Sequence, residues 1–222
     1  MKKFFLFFPS FLLCSLSCPA QTDLLRVGAA SVDMTPTVFP IQLRSGKSNY
    51  VHDPLHVRAV AFQRGEGRAV ICLIDAIGIG REMSDLAKAR ATEKTGWKPE
   101  EMLICATHTH TAPKGGEGTP GKEAYEKLKH EKLEEAIVKA IQSLQPARVG
   151  FGSDEEPSEV RNRRWFLEPG TMTPNPLGEL DQVKTNAGRN DLIKPAGPTD
   201  PELCVIDVRT TRHKPLALIA NY

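Results

Sequence analysis

Two short, nearly unbroken apolar runs, residues 69–77 and 102–107, lie on either side of a segment of helical composition, residues 82–94, and few folds accommodate that order. Apolar runs of this length bounded by turn residues read as strands buried on both faces. The intervening helix meets Gly96, a residue suited to a C-terminal cap. A longer helix follows over residues 122–144, where Tyr125, Leu128, Leu133, Ala136, Ile137, Ala140, Ile141 and Leu144 recur largely at three- and four-residue steps before Pro146. Upstream, residues 25–33 read as a strand stopped at Thr35-Pro36, and residues 55–62 alternate apolar and polar side chains. Gly65-Glu66-Gly67 joins that second strand to the run at 69–77 as a hairpin. Residues 147–151, 203–208 and 216–220 supply further short strands. Strands alternating with helices predict an α/β fold: a mixed β-sheet core with helices packed on the sheet faces. Residues 37–54 and 153–201 carry no periodicity and read as loops. A connection as long as the second is functional or disordered more often than not.

The first twenty residues belong to a different argument. Met1-Lys2-Lys3 precedes an apolar stretch from Phe4 to Leu16, and small side chains stand at Cys18 and Ala20. A positive start, an apolar core and a small-x-small site describe a secretory signal peptide. The stretch is shorter than the ~20 apolar residues of a bilayer span. The expected organisation is therefore a signal peptide over residues 1–20 and one portion of a catalytic domain over residues 21–222. The protein is expected to be secreted or periplasmic, with no transmembrane span once the signal is removed.

Loss of Lys2 and Lys3 takes the formal net charge from +2 to zero. A chain so balanced has no polybasic footprint for nucleic acid. Three cysteines remain, Cys72, Cys105 and Cys204, each in an apolar strand-like run. An odd count does not make a disulfide framework, and buried free thiols are expected.

The segment Ala106-Thr107-His108-Thr109-His110-Thr111-Ala112-Pro113 follows directly on the strand 102–105. In extended chain, side chains two apart share a face, so His108 and His110 are expected to point the same way. Imidazole is a common zinc ligand, and open α/β sheets bind ligands beyond the carboxyl ends of their strands. From these two residues alone, a ligand pair and ordinary polar residues at a strand end both stay open, because zinc needs three or four ligands. His52 and His56 read as surface histidines, and His130 and His213 as solvated ones. Asp75, ending the run at 69–77, could orient a ligating histidine or cap backbone. The cluster Arg161-Asn162-Arg163-Arg164 could face a substrate, offering forked donors, or form a solvated face. A G-x-S-x-G elbow, a Walker A loop and a His-Glu-x-x-His pair are all missing from the sequence.

Four segments together resemble the N-terminal domain family of neutral/alkaline non-lysosomal ceramidases. Val27-Gly28-Ala29-Ala30-Ser31-Val32-Asp33-Met34-Thr35-Pro36 is similar to that family's V-G-x-A-x-x-D-I-T-P opening. The run from Ala106 to Gly116 resembles its A-T-H-T-H-S-G-P-G-G signature. Val160-Arg161-Asn162-Arg163-Arg164 resembles its N-R segment, and Gly197-Pro198-Thr199-Asp200-Pro201-Glu202-Leu203 its G-x-x-D-P-E-[LV] strand entry. The resemblance implies an exported zinc amidase that hydrolyses ceramide to sphingosine and a fatty acid. It implies that His108 is a zinc ligand, that His110 stands beside the site in a catalytic or positioning part, and that Arg163 lies near the substrate. A lipid-like amide substrate and Zn2+ are the implied partner and cofactor.

The departures from that pattern carry weight. Thr111-Ala112 stands where the signature has Ser-Gly, and Lys114 where it has Gly. The family's second histidine ligand follows an N-[FY]-x-x-H segment, whereas the sequence here reaches Asn221-Tyr222. The resemblance thus implies an incomplete catalytic domain, expected neither to hold zinc tightly nor to turn over substrate as these 222 residues alone. Two alternatives remain: an exported hydrolase of another amide or ester on the same fold, and a non-catalytic binding module.

Overall fold

A computed structural model describes residues 24–113, 121–185 and 190–222. The expected signal peptide at 1–20 and the glycines at 115 and 116 lie outside the described residues. The chain divides into two compact units, Met1–Pro146 and Ala147–Tyr222.

The first unit is built on strands β1 (Arg26–Asp33), β4 (His56–Arg64), β5 (Gly67–Ile74) and β6 (Met102–Ala106), with a small antiparallel hairpin of β2 (Ile41–Leu43) and β3 (Gly46–Ser48). β1 pairs antiparallel with β4 and β4 with β5, while β5 pairs parallel with β6 from Val70↔Met102 to Ile74↔Ala106. Parallel neighbours need a crossover, and helix α1 (Arg81–Thr95) supplies it. As the sequence predicts, Gly96 closes that helix in left-handed backbone, φ 70°, its N–H donating to Thr92 O at 2.8 Å. Helix α2 (Lys122–Gln142) lies on β1, β4 and β5, and α1 packs against α2. The first residues of β7 (Gln145–Glu155), Gln145 and Pro146, pair with Val27 and Arg26 of β1.

The core lies between this sheet and the helices. Alternate strand residues Val57, Ala59, Ala61, Val70, Cys72, Ile74, Met102 and Ile104 face Leu133, Ala136, Ile137, Ala140 and Ile141 of α2. The reading of 69–77 as buried on both faces needs correction. Val70, Cys72 and Ile74 are buried, but Ile71 and Leu73 on the opposite face are only half-buried. The strand has the half-buried pattern of a sheet whose helices lie on one side.

In the second unit β11 (Glu202–Thr210) pairs antiparallel with β7 and with β12 (Pro215–Asn221). The turn between β11 and β12 carries His213 at φ 62°, solvent-exposed as expected. The segment read as a loop over 153–201 holds a three-stranded sheet: β8 (Arg164–Leu167), flanked by β9 (Val183–Thr185) and β10 (Leu192–Pro195). These strands are three or four residues long, and such short runs leave no alternation to detect. The hairpin β2–β3 inside 37–54 was invisible for the same reason. The three cysteines are unpaired, but only Cys72 is buried; Cys105 is half-buried and Cys204 exposed.

Candidate functional site

The carboxyl ends of β5 and β6 finish side by side at Ile74 and Ala106. The two segments that leave them are stitched together. Thr107 N donates to Ile74 O at 3.1 Å, and Thr109 N to Ala76 O at 3.1 Å. The hydroxyls of Thr107 and Thr109 share a hydrogen bond of 2.6 Å. Ala112 N donates back to Thr109 O at 3.3 Å, closing a turn. His108 and His110 come together with ring centroids 4.7 Å apart and planes at 64°. The pleat of a strand does not bring them there. β6 stops at Ala106, and His108 sits in left-handed backbone at φ 59°. Left-handed backbone is uncommon for a residue with a Cβ and costs about 1 kcal/mol. Residues held so cluster at sites where the surroundings over-determine them.

What holds His108 is visible. Its Nδ1 lies 2.8 Å from Ile77 O. A carbonyl only accepts, so Nδ1 carries the proton, and in the neutral ring the Nε2 lone pair is left available. The ring is exposed, as is that of His110. A histidine fixed through one nitrogen by a backbone carbonyl is the usual state of a metal-ligating imidazole. Among the described residues there is no group of three or more His, Cys, Asp or Glu side chains able to hold a metal ion. On this chain His108 offers one donor.

Asp75 caps backbone. Its Oδ2 accepts from His56 N and from Arg58 Nη1, both at 2.9 Å, and its side chain is 14% exposed. His56, expected at the surface, is half-buried, and its Nδ1 is enclosed without a hydrogen-bond partner. His130, expected to be solvated, is likewise half-buried with an enclosed Nδ1. Tyr125 Oη is also enclosed and unpartnered, and burial pushes its phenol upward. At the end of β1, Asp33 accepts from Thr35 N at 2.7 Å, and hydrogen bonds from Thr35 hold its carboxyl below the usual range.

Beside the histidine segment lies a cleft of about 510 Å³. Phe39, Ile41, Leu43 and Leu55 form its apolar wall, and Asp75, Thr109 and Thr111 border its polar end. The volume lies within the range of small-molecule sites. The hairpin β2–β3 forms part of the wall, so the element missed in sequence is the one that shapes the cleft. His52 stands at the rim, its Nδ1 2.8 Å from Asp53 Oδ2.

Arg163 belongs to the second unit. It is exposed just before β8, and among the described residues no hydrogen bond or ion pair engages its side chain. The order around it comes from Asn162, a residue without an assigned part in the sequence reading. Asn162 Oδ1 accepts from Arg164 N at 2.8 Å, its Nδ2 donates to Pro198 O at 3.1 Å, and its carbonyl accepts from Trp165 Nε1 at 3.0 Å. Arg161 turns back to Ser158 O and Val160 O. A concavity of about 530 Å³ in this unit is lined by Phe166, Met172, Leu180, Ile193 and Lys194, and does not include Arg163.

No helix among the described residues is long and apolar enough to cross a membrane. No family profile and no curated protein sequence matches the chain. Solved structures do. A crystal structure of neutral ceramidase from Pseudomonas aeruginosa superposes with a TM-score of 0.64 at 20% identity, covering 89% of this chain and 31% of its own. A ceramidase complexed with C2 superposes with a TM-score of 0.64 at 19% identity over the same shares. The chain spans under a third of the length of these neighbours. Its fold, a mixed α/β architecture, is thus one that neutral ceramidases contain within a longer polypeptide.

Proposed function

We propose that this chain is part of an exported zinc-dependent amide hydrolase that acts on ceramide-like N-acyl lipids. The observation that carries the reading is the state of His108: left-handed backbone, Nδ1–H given to Ile77 O, and Nε2 left as a donor atom at the carboxyl ends of two parallel strands. The likeness in fold to neutral ceramidases supports it. The donor chemistry fits zinc, and His108 would supply one ligand, with the remaining donors coming from outside the described residues. When bound, such an ion supplies Lewis acidity toward an amide carbonyl and a water of lowered pKa.

The residues of this chain have separable parts in the proposal. His108 holds its tautomer through Ile77 and presents Nε2. His110, stacked edge-on against it, stands where it can orient substrate or hold a proton. The neighbouring cleft, apolar along its wall and polar at one end, suits an amphiphile with its head toward Thr109 and Thr111. Arg163 has its guanidinium exposed and offers a forked pair of donors suited to a carbonyl oxygen. The 222 residues alone, with one donor, are proposed to be inactive.

The test is hydrolysis of a fluorescent N-acylsphingosine by the full gene product, with bound zinc measured in parallel. His108→Ala should lower kcat/KM at least about 100-fold and reduce bound zinc, since even residues behind a metal ligand are worth 10- to 100-fold. A full gene product that binds no zinc and releases no fatty acid would sink the reading. Turnover of short N-acyl amines in place of the sphingolipid would redirect it to another amide.

A further inference from the structure

We infer that Asp75, clamped by Arg58, is the positioning residue that sets the orientation of His108; the inference rests on the proposed part of His108 as the presenting ligand. The hydrogen bond of the His108 ring goes to Ile77 O and not to Asp75. Asp75 acts through backbone. Its carboxylate accepts from His56 N and Arg58 Nη1, and its own N–H donates to His56 O at 3.0 Å, so residue 75 is tied in both directions to the start of β4. The carbonyls around it carry the histidine segment. Ile74 O takes Thr107 N–H, Ala76 O takes Thr109 N–H, and Ile77 O takes His108 Nδ1–H. Three acceptors within four residues thus hold three successive residues, and Asp75 stands among the acceptors.

Left-handed backbone at His108 is unfavourable by itself and persists only where neighbouring bonds over-determine it. Two of those bonds fix the amides on either side of His108, and the third fixes its ring. Ile74 O belongs to the last residue of β5, but the other two acceptors, Ala76 O and Ile77 O, lie beyond its end, where strand pairing no longer supports the chain. The charge-assisted bonds at Asp75 replace that support, and bonds of this kind are stronger than neutral ones. The Arg58 side chain is 49% exposed, so the pair retains water on one side and its strength comes mainly from hydrogen bonding.

The experiment uses the 222-residue chain without metal or substrate, so its outcome is independent of whether the amidase reading survives. In Asp75→Ala, amide hydrogen exchange at Thr107 and Thr109 should quicken about 10-fold or more while Val57 and Val70 stay as slow as before, the signature of a local opening. The 15N spectrum of the His108 ring should move from a single Nδ1–H tautomer to a mixture. Arg58→Met should shift both readouts in the same direction by a smaller amount. Asp75→Asn, which keeps an acceptor for His56 N–H, should restore most of the tautomer. If Asp75→Ala does not fold, Arg58→Met and Asp75→Asn decide between them. Unchanged exchange at Thr107 and Thr109 together with an unchanged ring tautomer in the folded variants would overturn the assignment.

Discussion

His108 and Cys72 show how differently two side chains a short distance apart in the fold respond to their surroundings. His108 is exposed, and its backbone and ring are fixed by carbonyls of the neighbouring segment. Cys72 is fully enclosed in the sheet–helix core, and burial pushes its thiol up to about 12. Its ordinary value near 9 applies in the unfolded chain, so the unfolded state loses the proton first as pH rises. The stability that the neutral thiol supports is complete below pH ~9 and is lost progressively up to pH ~12, with a limiting slope of about 1.4 kcal/mol per pH unit. Urea unfolding followed at pH 8, 9 and 10 should show the fall begin, and Cys72→Ala should flatten it. An equal alkaline loss in Cys72→Ala would assign the effect elsewhere, with Tyr125, also raised by burial, the next group to examine.

Among the elements, β1 and α2 approach closely at Gly28. A Cβ at Gly28 would stand 2.0 Å from Ala140 O and 2.8 Å from Leu144 N, both backbone atoms that cannot rotate aside. Gly28→Ala should therefore push the end of α2 off the sheet and cost about 1–3 kcal/mol or more. A lowered urea midpoint with unchanged slope would register it, and a variant of wild-type stability would show that the helix end shifts freely. The elements with long periodic patterns were legible in sequence. The periodicity that predicts a helix over 122–144 corresponds to α2 at Lys122–Gln142, and β1, β4, β5, β6, β11 and β12 lie within a few residues of the runs that predict them. What stayed hidden was set by distant contacts. The three-residue strands β2, β3 and β9 exist because a partner strand pairs with them, and nothing in their own residues announces it. At the site, the sequence named His108 and His110 but attributed their meeting to a strand pleat. The left-handed turn that brings them together is fixed by Ile77 and its neighbours, about thirty residues upstream, and Arg58 enters through Asp75 in the same way. Such long-range partners leave no local signal.

At the scale of the molecule, the first unit closes a core from its own sheet and helices, with Met34, Ile74, Leu133 and Ile137 wholly buried. Small domains that fold only around a metal lack such a core. Chelation should accordingly leave the thermal midpoint of the 222-residue chain unchanged to within about 1 °C, less than a stability change of 1 kcal/mol produces. A loss of several degrees on adding EDTA would show that an ion is part of the fold, contrary to the single-donor reading.

The pairing of β5 with β6 ends on one rung, Ile74 beside Ala106, and that rung sets the phase of everything after it. Inserting one residue within β6 would turn Leu103 and Cys105 toward the helices and offset each threonine amide from its carbonyl by one place. Inserting two would restore the faces of the strand yet carry the imidazole past Ile77. The spacing between Met102 and His108 is therefore as much a part of the site as the histidine itself, and length changes between Met102 and Thr109 should not be tolerated.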